Sequence, residues 1–537
     1  MKYFKKYFLT LVMGVALVTS CSEDELEELN TDPQSLSKIN LNFLFTSAQL
    51  GTPSGGSRAD NRYMELRSHV ELCGYAIQHL ASAQPIHGDK YLDNADATSL
   101  PFDFVYSDLK NLGEILKQSG PGGFAEGEYA NLREATRILR VLLFQRLTDF
   151  YGSVPYFESI KANESVFFPA YDKQSAIYTD MLKELDEAAA NLAHANGDGF
   201  AEADLYYQGD IMKWKKFAYS LMLRLAMRVS NVDSDLADTY VAKAVAGGLF
   251  TGNEDNVIVP MDIGPNPWVN QNGRSRVFFP GDEGHEAILS KTLIDFLKGT
   301  NGASTADDDP RLMIITGGIG TWTATSDGGA EFNATNTDPL GQKGMPNGLT
   351  LSDLQILEND PTLDINSTYS KLNPRLLDKD EDYMLMNYGE TQLLLAEAAH
   401  RGIGGLSPAT AATYYAEGVK ASMQMMETYD ASFTVSDAAV TVYLAAHPFG
   451  IVRPAETMIQ EQLWINQFLN WYEVWSNWRR TGLPKLVPTN APGNVTNGTI
   501  PQKLKYPNAE VAGNPSYLEG ASANNYTTKV WWAGGPD

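Results

Sequence analysis

Helical periodicity is the feature that most limits how this 537-residue chain can fold. From about Tyr129 to Tyr151, apolar residues recur at three- and four-residue steps, and Gly152 and Pro155 then act as stop signals. Similar spacing runs from Asp172, a predicted N-cap, to Leu192, and again from Ile211 to Val229. The chain is therefore predicted to be mainly α-helical, with a first helical block at about residues 100–250.

A second helical block is predicted at about residues 385–482. One helix begins near Tyr388, and Ser407 with Pro408 starts the next as N-cap and first helical residue. A single long helix is expected from Glu456 to Trp478. Its buried stripe consists of Trp464, Phe468, Trp471, Trp475 and Trp478. Helix pairs of this kind resemble degenerate tetratricopeptide units of about 34 residues.

Between the two blocks, from about residue 250 to residue 385, the periodicity disappears. Gly, Pro, Asn and Asp accumulate there, as in Gly264-Pro265-Asn266-Pro267, and Gly318-Ile319-Gly320 is expected to lie in a loop. Long loops inside a compact domain usually carry function or lack order. We expect a single domain over residues 41–537 that contains this loop-rich insert at about residues 250–385.

The N-terminus carries an export signal. Three lysines precede an apolar stretch from Tyr7 to Val18, which is too short to cross a bilayer as a stop-transfer helix. Val18-Thr19-Ser20-Cys21 resembles a bacterial lipobox, so residues 1–20 are predicted to be removed and Cys21 to carry the lipid. The acidic residues that follow resemble the surface-export signal of Bacteroidetes lipoproteins, and residues 21–40 are expected to form a tether.

Charge and cysteine content exclude several classes of protein. Removing residues 1–20 takes away three lysines and no acid, so the formal charge falls from −25 to −28. No basic run remains beyond short groups such as Arg479-Arg480 and Lys215-Lys216, which argues against a nucleic-acid partner. With Cys21 lipidated, Cys73 is the one remaining cysteine, so no intramolecular disulfide can form.

The sequence contains partial motifs of catalysis and metal binding, and each lacks a residue that the motif requires. His285-Glu286 begins like HExxH, but Leu289 stands where the second zinc-binding histidine is required. Asp378, Asp380 and Asp382 have calcium-loop spacing, but Tyr383 occupies the glycine position. We therefore predict no metal, no cofactor and no enzymatic activity, although glycoside hydrolysis needs only two suitably spaced carboxylates and remains an alternative.

Several separated segments together resemble the SusD/RagB family of nutrient-binding outer-membrane lipoproteins over almost the whole mature chain. The early matches are Asn30-Thr31-Asp32-Pro33, the run from Arg146 to Tyr156, and Lys213-Trp214-Lys215-Lys216-Phe217-Ala218. The late matches are Ala396-Glu397-Ala398-Ala399, the run from Asn477 to Pro484, and Leu504-Lys505-Tyr506-Pro507.

This resemblance implies a SusD-like helical scaffold that contains tetratricopeptide pairs and carries a loop-rich, variable ligand-binding region, whose ligand residues no motif fixes. It also implies a lipid-anchored protein on the outer membrane, facing the extracellular side. Such a protein captures a nutrient, here most simply an oligosaccharide, and delivers it to a SusC-like, TonB-dependent transporter. Three alternatives stay open: a peptide-binding lid of the RagB type, a glycan-degrading surface enzyme, and a helical scaffold that binds only protein.

Sugar binding needs an exposed aromatic face with amides or carboxylates beside it. Trp268 and Trp322 fit this requirement because each is expected in an aperiodic loop among polar residues, with Asn270 close to Trp268. Tyr91 and Asn94 form a similar group before a predicted helix. These five residues are the predicted ligand-binding set.

Overall fold

A computed structural model describes residues 39–54, 60–161, 164–193, 199–300, 302–325 and 330–537. The chain divides into Met1–Leu41, of which only residues 39–41 are described, and Asn42–Asp537, which forms one compact unit. The signal segment and Cys21 lie outside the described residues, so lipid attachment stays a prediction. None of the described helices has the length and hydrophobicity required to cross a bilayer.

The N-terminal half is built almost entirely from helices. They are α1 (Leu41–Gly51), α2 (Arg62–Met64), α3 (His87–Lys90), α4 (Ala95–Gln118), α5 (Ala130–Tyr151), α6 (Gln174–Asn191), α7 (Phe200–Ala203), α8 (Ile211–Val229) and α9 (Ser234–Gly247). The π-helix Glu65–Gly74 continues α2. Successive long helices pack on each other, α4 on α5, α5 on α6, α6 on α8 and α8 on α9. This arrangement agrees with the predicted repeat of helix pairs.

Helix α5 forms where the periodicity places it. Its apolar stripe, including Leu132, Leu139 and Leu142, is buried, and the helix ends at Gly152, whose φ of 86° is the left-handed conformation that favours glycine. The prediction for Asp172 is wrong, because α6 has Lys173 at its N-cap position. The Asp172 carboxylate instead accepts hydrogen bonds from two backbone N–H groups of the α5–α6 connection, at 2.9 Å each.

The C-terminal block contains α15 (Tyr388–Arg401), α16 (Ala411–Gln424), α17 (Asp437–Ala446), α18 (Ala455–Asn466) and α19 (Trp471–Thr481). Ser407 caps a short 3₁₀ turn, Pro408–Thr410, that leads into α16. The expected single helix from Glu456 to Trp478 is wrong, because the chain breaks between α18 and α19 at Leu469, where φ is 76°. Trp464, Trp471 and Trp475 are buried as predicted, and Trp478 is partly exposed. Two short helices follow, α20 (Asn508–Gly513) and α21 (Tyr517–Gly520).

The insert between the blocks has more regular structure than its sequence predicts. Its helices are α10 (Gly273–Phe278), α11 (Lys291–Leu297), α12 (Leu312–Ile315), α13 (Leu351–Leu357) and α14 (Ile365–Thr368). Its strands are β1 (Val257–Val259), β2 (Thr316–Ala324), β3 (Ala330–Asn336), β4 (Ser370–Leu372) and β5 (Tyr383–Met386). Antiparallel pairing joins β1 to β5, and β2 lies between β3 and β4.

Strand β2 corrects the loop expected at Gly318-Ile319-Gly320. At Gly320 a Cβ atom would lie only 2.3 Å from the carbonyl oxygen of Asn333 on β3. Glycine is therefore required for the close approach of two strands. Trp322 lies on the same hairpin, paired with Phe332, and not in an irregular loop.

Buried ion pairs join the long helices, one pair between the two blocks and one within the second block. Arg224 of α8 binds Glu390 of α15 through two hydrogen bonds, at 2.6 and 2.7 Å, with both side chains 1% exposed. Arg480 of α19 binds Glu397 of α15 in the same bidentate way. Burial alone would raise the pKa of Glu397, but Arg480 and Arg401 outweigh it and lower that pKa to about 2. The scaffold therefore holds charged groups in its core in fixed pairs.

Candidate functional site

Trp268 lies at the tip of a tightly hydrogen-bonded loop at the start of the insert. The Asn266 side chain accepts a hydrogen bond from the backbone N–H of Trp268 at 3.1 Å, and the Asn270 side chain accepts one from the N–H of Asn266 at 3.1 Å. Asparagine favours such turns because its amide satisfies nearby backbone groups. The indole of Trp268 is 48% exposed, so the loop presents this ring to solvent.

The buried Asn61 anchors this loop to the rest of the protein. Its backbone N–H donates to the carbonyl oxygen of Trp268 at 3.1 Å, and its side-chain amide donates to that of Gln271 at 2.8 Å. On the other side of the loop, the Asn272 side chain caps α10 and also donates to the carbonyl oxygen of Glu381 at 2.8 Å. Trp268 is thus held from both ends of its loop.

Two arginines support the ring of Trp268. The guanidinium carbon of Arg276 lies 4.7 Å from the ring centroid, and that of Arg62 lies 5.8 Å from it. Both distances are in the range of cation–π attraction. Arg276 is itself only 2% exposed. Next to Trp268, Arg62 also lies 5.2 Å from the ring of Tyr63, which is exposed.

These cations belong to an ion-pair network with three carboxylates. Asp60 binds Arg276 at 3.0 Å and Arg62 at 3.2 Å. Glu283 binds Arg62 at 3.2 Å. Asp282 binds Lys379 at 3.0 Å and lies within 4 Å of both arginines.

The network connects Trp268 to Trp322. Lys379 extends from Asp282 to within 5.0 Å of the ring centroid of Phe279, and that ring lies 5.9 Å from Trp322. Trp322, partly exposed, is also 5.9 Å from Phe332 across the β2–β3 hairpin. We call this connected set the Trp268 face. It consists of Asp60, Arg62, Tyr63, Trp268, Arg276, Phe279, Asp282, Glu283, Trp322, Phe332 and Lys379.

Tyr91 and Asn94 make structural hydrogen bonds within the protein. Tyr91 is 2% exposed, and its hydroxyl accepts a hydrogen bond from the backbone N–H of Thr489 at 3.2 Å, while burial raises its pKa. Asn94 caps α4 by accepting from the N–H of Ala97 at 3.1 Å. Tyr91 therefore offers no exposed ring to a ligand, and the Asn94 side-chain oxygen is already engaged.

A buried acid–histidine cluster lies between Asn94 and the Trp268 face. His87 is 3.4 Å from Asn94 and 3.4 Å from Glu71, and Glu71 is 2.9 Å from His285. Burial would raise the pKa of Glu71, but His285, His87 and Arg67 together lower it below its ordinary value. His285 thus binds a carboxylate, and it lies two residues beyond Glu283 of the Trp268 face. In the part of the chain that is described, no cluster of three or more His, Cys, Asp or Glu side chains could hold a metal ion.

A separate groove of about 610 Å³ lies near Tyr91. Its polar lining includes Gln78, Lys291, Asp295 and Asp353, and its apolar lining includes Val487. Among the described residues that line this groove none is aromatic. Because stacking on sugar rings needs an aromatic platform, the Trp268 face is the better candidate for binding carbohydrate.

Sequence reasoning missed the residues that connect the two tryptophans. Arg62, Arg276, Phe279 and Lys379 join Trp268 to Trp322 through contacts with Asp60 and Asp282, which also escaped notice. One signal was available, because the run Arg274-Ser275-Arg276-Val277-Phe278-Phe279 places two basic and two aromatic residues within six positions shortly after Trp268.

Comparisons with known proteins show similarity to SusD-like proteins over most of the chain. The SusD-like family model, described as starch-binding associating with outer membrane, matches residues 33–507. A solved structure named as a chitin-binding protein is 31% identical, with a TM-score of 0.75 over 92% of this chain and 100% of its own. A SusD-like protein of Bacteroidetes is 24% identical, with a TM-score of 0.76 over 92% and 100% of the two chains.

A third structure, a chitin-binding SusD homologue from Flavobacterium johnsoniae, is 22% identical. Its TM-score is 0.69 over 92% of this chain and 99% of its own, which supports the fold. Among curated proteins, no sequence matches this chain.

Proposed function

Because the chain belongs to the SusD-like family, we propose that it binds a carbohydrate at the bacterial cell surface and that the Trp268 face is where it does so. The observation that carries the proposal is the exposed ring of Trp268, held in place by Arg276 and by its loop. The solved structure at 31% identity, named as a chitin-binding protein, supports a saccharide as the ligand.

The chemistry of the Trp268 face suits a sugar. An indole offers a flat apolar surface to the C–H groups of a pyranose ring, and neighbouring polar groups satisfy its hydroxyls. Around Trp268 these groups are the side-chain NH2 groups of Asn266 and Asn270, whose oxygens already accept hydrogen bonds within the loop, and the exposed carboxylate of Asp262. Trp322 lies at the far end of the same contact network, so an oligosaccharide is a better fit than a single sugar.

The finer parts of the proposal rest on the sequence and on the family. We propose that Cys21 carries the lipid anchor, that the protein faces the outside of the cell, and that it passes its oligosaccharide to a SusC-like, TonB-dependent transporter. Because the transporter drives passage, the protein acts by binding and not by catalysis. Co-purification of the tagged, full-length protein with a TonB-dependent barrel from its native membrane is the direct test of this partnership.

The ligand is tested with the mature protein, from Ser22 onward, by affinity electrophoresis against a panel of soluble polysaccharides. We expect retardation by at least one glycan, and at least a tenfold loss of affinity in Trp268→Ala, equivalent to about 1.4 kcal/mol. The matched control is Phe167→Ala, which removes another exposed aromatic ring, 68% exposed, outside the Trp268 face.

Three results would contradict parts of this proposal. Equal binding by Trp268→Ala and wild type would move the site away from the Trp268 face. Retention of peptides without any glycan would favour the peptide-binding alternative, for which the groove bearing Asp295 and Asp353 is the natural place. Release of shortened sugars during incubation would point to a glycan-degrading enzyme.

A further inference from the structure

We propose that the Trp268 face selects uncharged saccharides and discriminates against those that carry carboxylate or sulfate groups. This inference rests on the proposed function and names the class of ligand within it. It follows from the ion pairs that the charged residues of the face already form with one another.

Every cation of the Trp268 face is bound to a carboxylate of the same face. Arg62, Arg276 and Lys379 supply three positive charges, and Asp60, Asp282 and Glu283 supply three negative charges, with at least one contact of 3.0–3.2 Å for each cation. The formal charge of the network is therefore zero. An acidic sugar would have to displace an internal carboxylate before it could pair with an arginine or with the lysine.

Aromatic rings cover much of what remains of these cations. Arg276 is buried beside Trp268, and the Lys379 ammonium lies 5.0 Å from the centroid of Phe279. The bidentate pairing with which a guanidinium recognises a sulfate or carboxylate needs an accessible edge with two N–H groups, and the side chains of Arg62 and Arg276 are only 13% and 2% exposed. The arginines of this face act as supports for Trp268 and not as anion receptors.

The surroundings of the face add negative charge. Asp262 lies in the Trp268 loop, and Glu331 follows Ala330 on β3 opposite the strand that carries Trp322. Both residues are exposed. The whole chain has 66 acidic and 41 basic residues, so its net negative charge also disfavours a polyanion, over a range that salt limits to about 8 Å.

The test compares hydroxyethylated, neutral polysaccharides with carboxymethylated forms of the same backbones, so that the substituents are similar in size and differ mainly in charge. Starch, chitin and mannan serve as the backbones, each at low and at high salt, with the mature protein. We expect the neutral form to bind at least tenfold more tightly than its carboxymethylated form. Equal or tighter binding of an acidic form, weakened by salt, would overturn the inference and leave carbohydrate binding itself in place.

A paired variant gives a second measurement. Asp282→Asn combined with Glu283→Gln removes two carboxylates from the network, and we expect the preference for the neutral form to shrink at least threefold at low salt. The matched control, Asp235→Asn with Asp437→Asn, makes the same change in net charge at two exposed positions elsewhere and should keep the wild-type preference. If the control shrinks the preference as much, the selectivity comes from overall charge and the proposed role of the face is wrong.

Two checks keep the experiment decisive. Far-UV circular dichroism and melting curves establish that the paired variant is folded, and Glu283→Gln alone replaces it otherwise, since that side chain is 32% exposed. Absence of binding to every neutral and acidic probe would instead count against the proposed function, and the inference would fall with it.

Discussion

The helical scaffold and the Trp268 face use the same chemistry, arginine paired with carboxylate, in opposite surroundings. In the scaffold Arg224 and Glu390 are each 1% exposed, whereas on the face Arg62 and Glu283 are 13% and 32% exposed. Removing one partner of a buried pair leaves an uncompensated charge in a medium that cannot solvate it. On the face, water can replace a missing partner.

This difference predicts that the stability of the protein depends mainly on the scaffold pairs and that the proposed binding depends mainly on the charges of the Trp268 face. Substitutions in the scaffold should change the free energy of unfolding, and substitutions on the Trp268 face should change binding first. The following predictions either break that separation or sharpen it.

The largest expected effect is on the scaffold. Glu397→Ala leaves Arg480, 1% exposed, without its carboxylate, and we expect the free energy of unfolding to fall by about 3–5 kcal/mol. Chemical denaturation of the mature protein measures this loss. Asp437→Ala is the matched control, because its pair with Lys420 is exposed and should contribute little to the free energy of unfolding. Similar losses in the two variants would show that burial does not set the energy of these pairs.

An intermediate effect is expected where the Trp268 face is anchored. Asn61→Ala removes the amide that donates to the carbonyl oxygen of Gln271, and we expect a loss of about 1–2 kcal/mol in unfolding free energy. Because Asn61 is buried and only holds the loop, a concurrent loss of glycan affinity would connect loop order to binding. Asn490→Ala, at an exposed position, should change neither quantity. Unchanged affinity in Asn61→Ala would mean that Trp268 does not need its anchor.

The long helices show how much of the fold can be predicted from the sequence alone. The helices predicted at about residues 129–151 and 211–229 are confirmed, because the spacing of apolar residues directly indicates which face of a helix is buried. The break at Leu469 was missed, because distant parts of the chain hold it. The backbone carbonyl of Leu469 accepts a hydrogen bond from Arg274, and the Asn470 side chain donates to the carbonyl oxygen of Leu385. Neither contact leaves a local pattern.

The residues of the candidate site also differ in how well the sequence predicts their exposure. Trp268 and Tyr91 have similar polar neighbours in the sequence, yet only Trp268 is exposed. Tyr91 is buried because its hydroxyl meets the backbone of Thr489, 398 residues further along the chain. Strands of three or four residues, such as β1 and β4, are likewise too short for an alternation of polar and apolar residues to reveal them.

The smallest effect near neutral pH concerns buried histidines of the scaffold. Burial lowers the pKa of His79 well below its ordinary value, and neither ring nitrogen has a hydrogen-bond partner among the described residues. The unfolded chain therefore takes up this proton first as the pH falls. The contribution of the neutral, buried His79 to the free energy of unfolding should be fully present above a pH of about 6.5 and should be lost progressively below it.

His79→Phe tests this assignment. Its ring would keep the packing against Trp464 and Phe468 but would remove the proton-binding group. We expect the unfolding free energy to decline less between about pH 7 and pH 5 than in wild type. His400→Gln, at an exposed position, should keep the wild-type slope. An unchanged slope in His79→Phe would assign the pH dependence to other groups, of which His69 and His87 are also buried with lowered pKa values.

The stacking of Arg276 beside Trp268 has a thermodynamic consequence. A side chain that must be immobilised when a ligand arrives costs about 0.5–1.5 kcal/mol in conformational entropy. Here the indole is already oriented by the guanidinium and by its loop, so that cost is met during folding. Calorimetry on Arg276→Met should then show a less favourable binding entropy for the same sugar, because the freed ring would have to be ordered by the ligand.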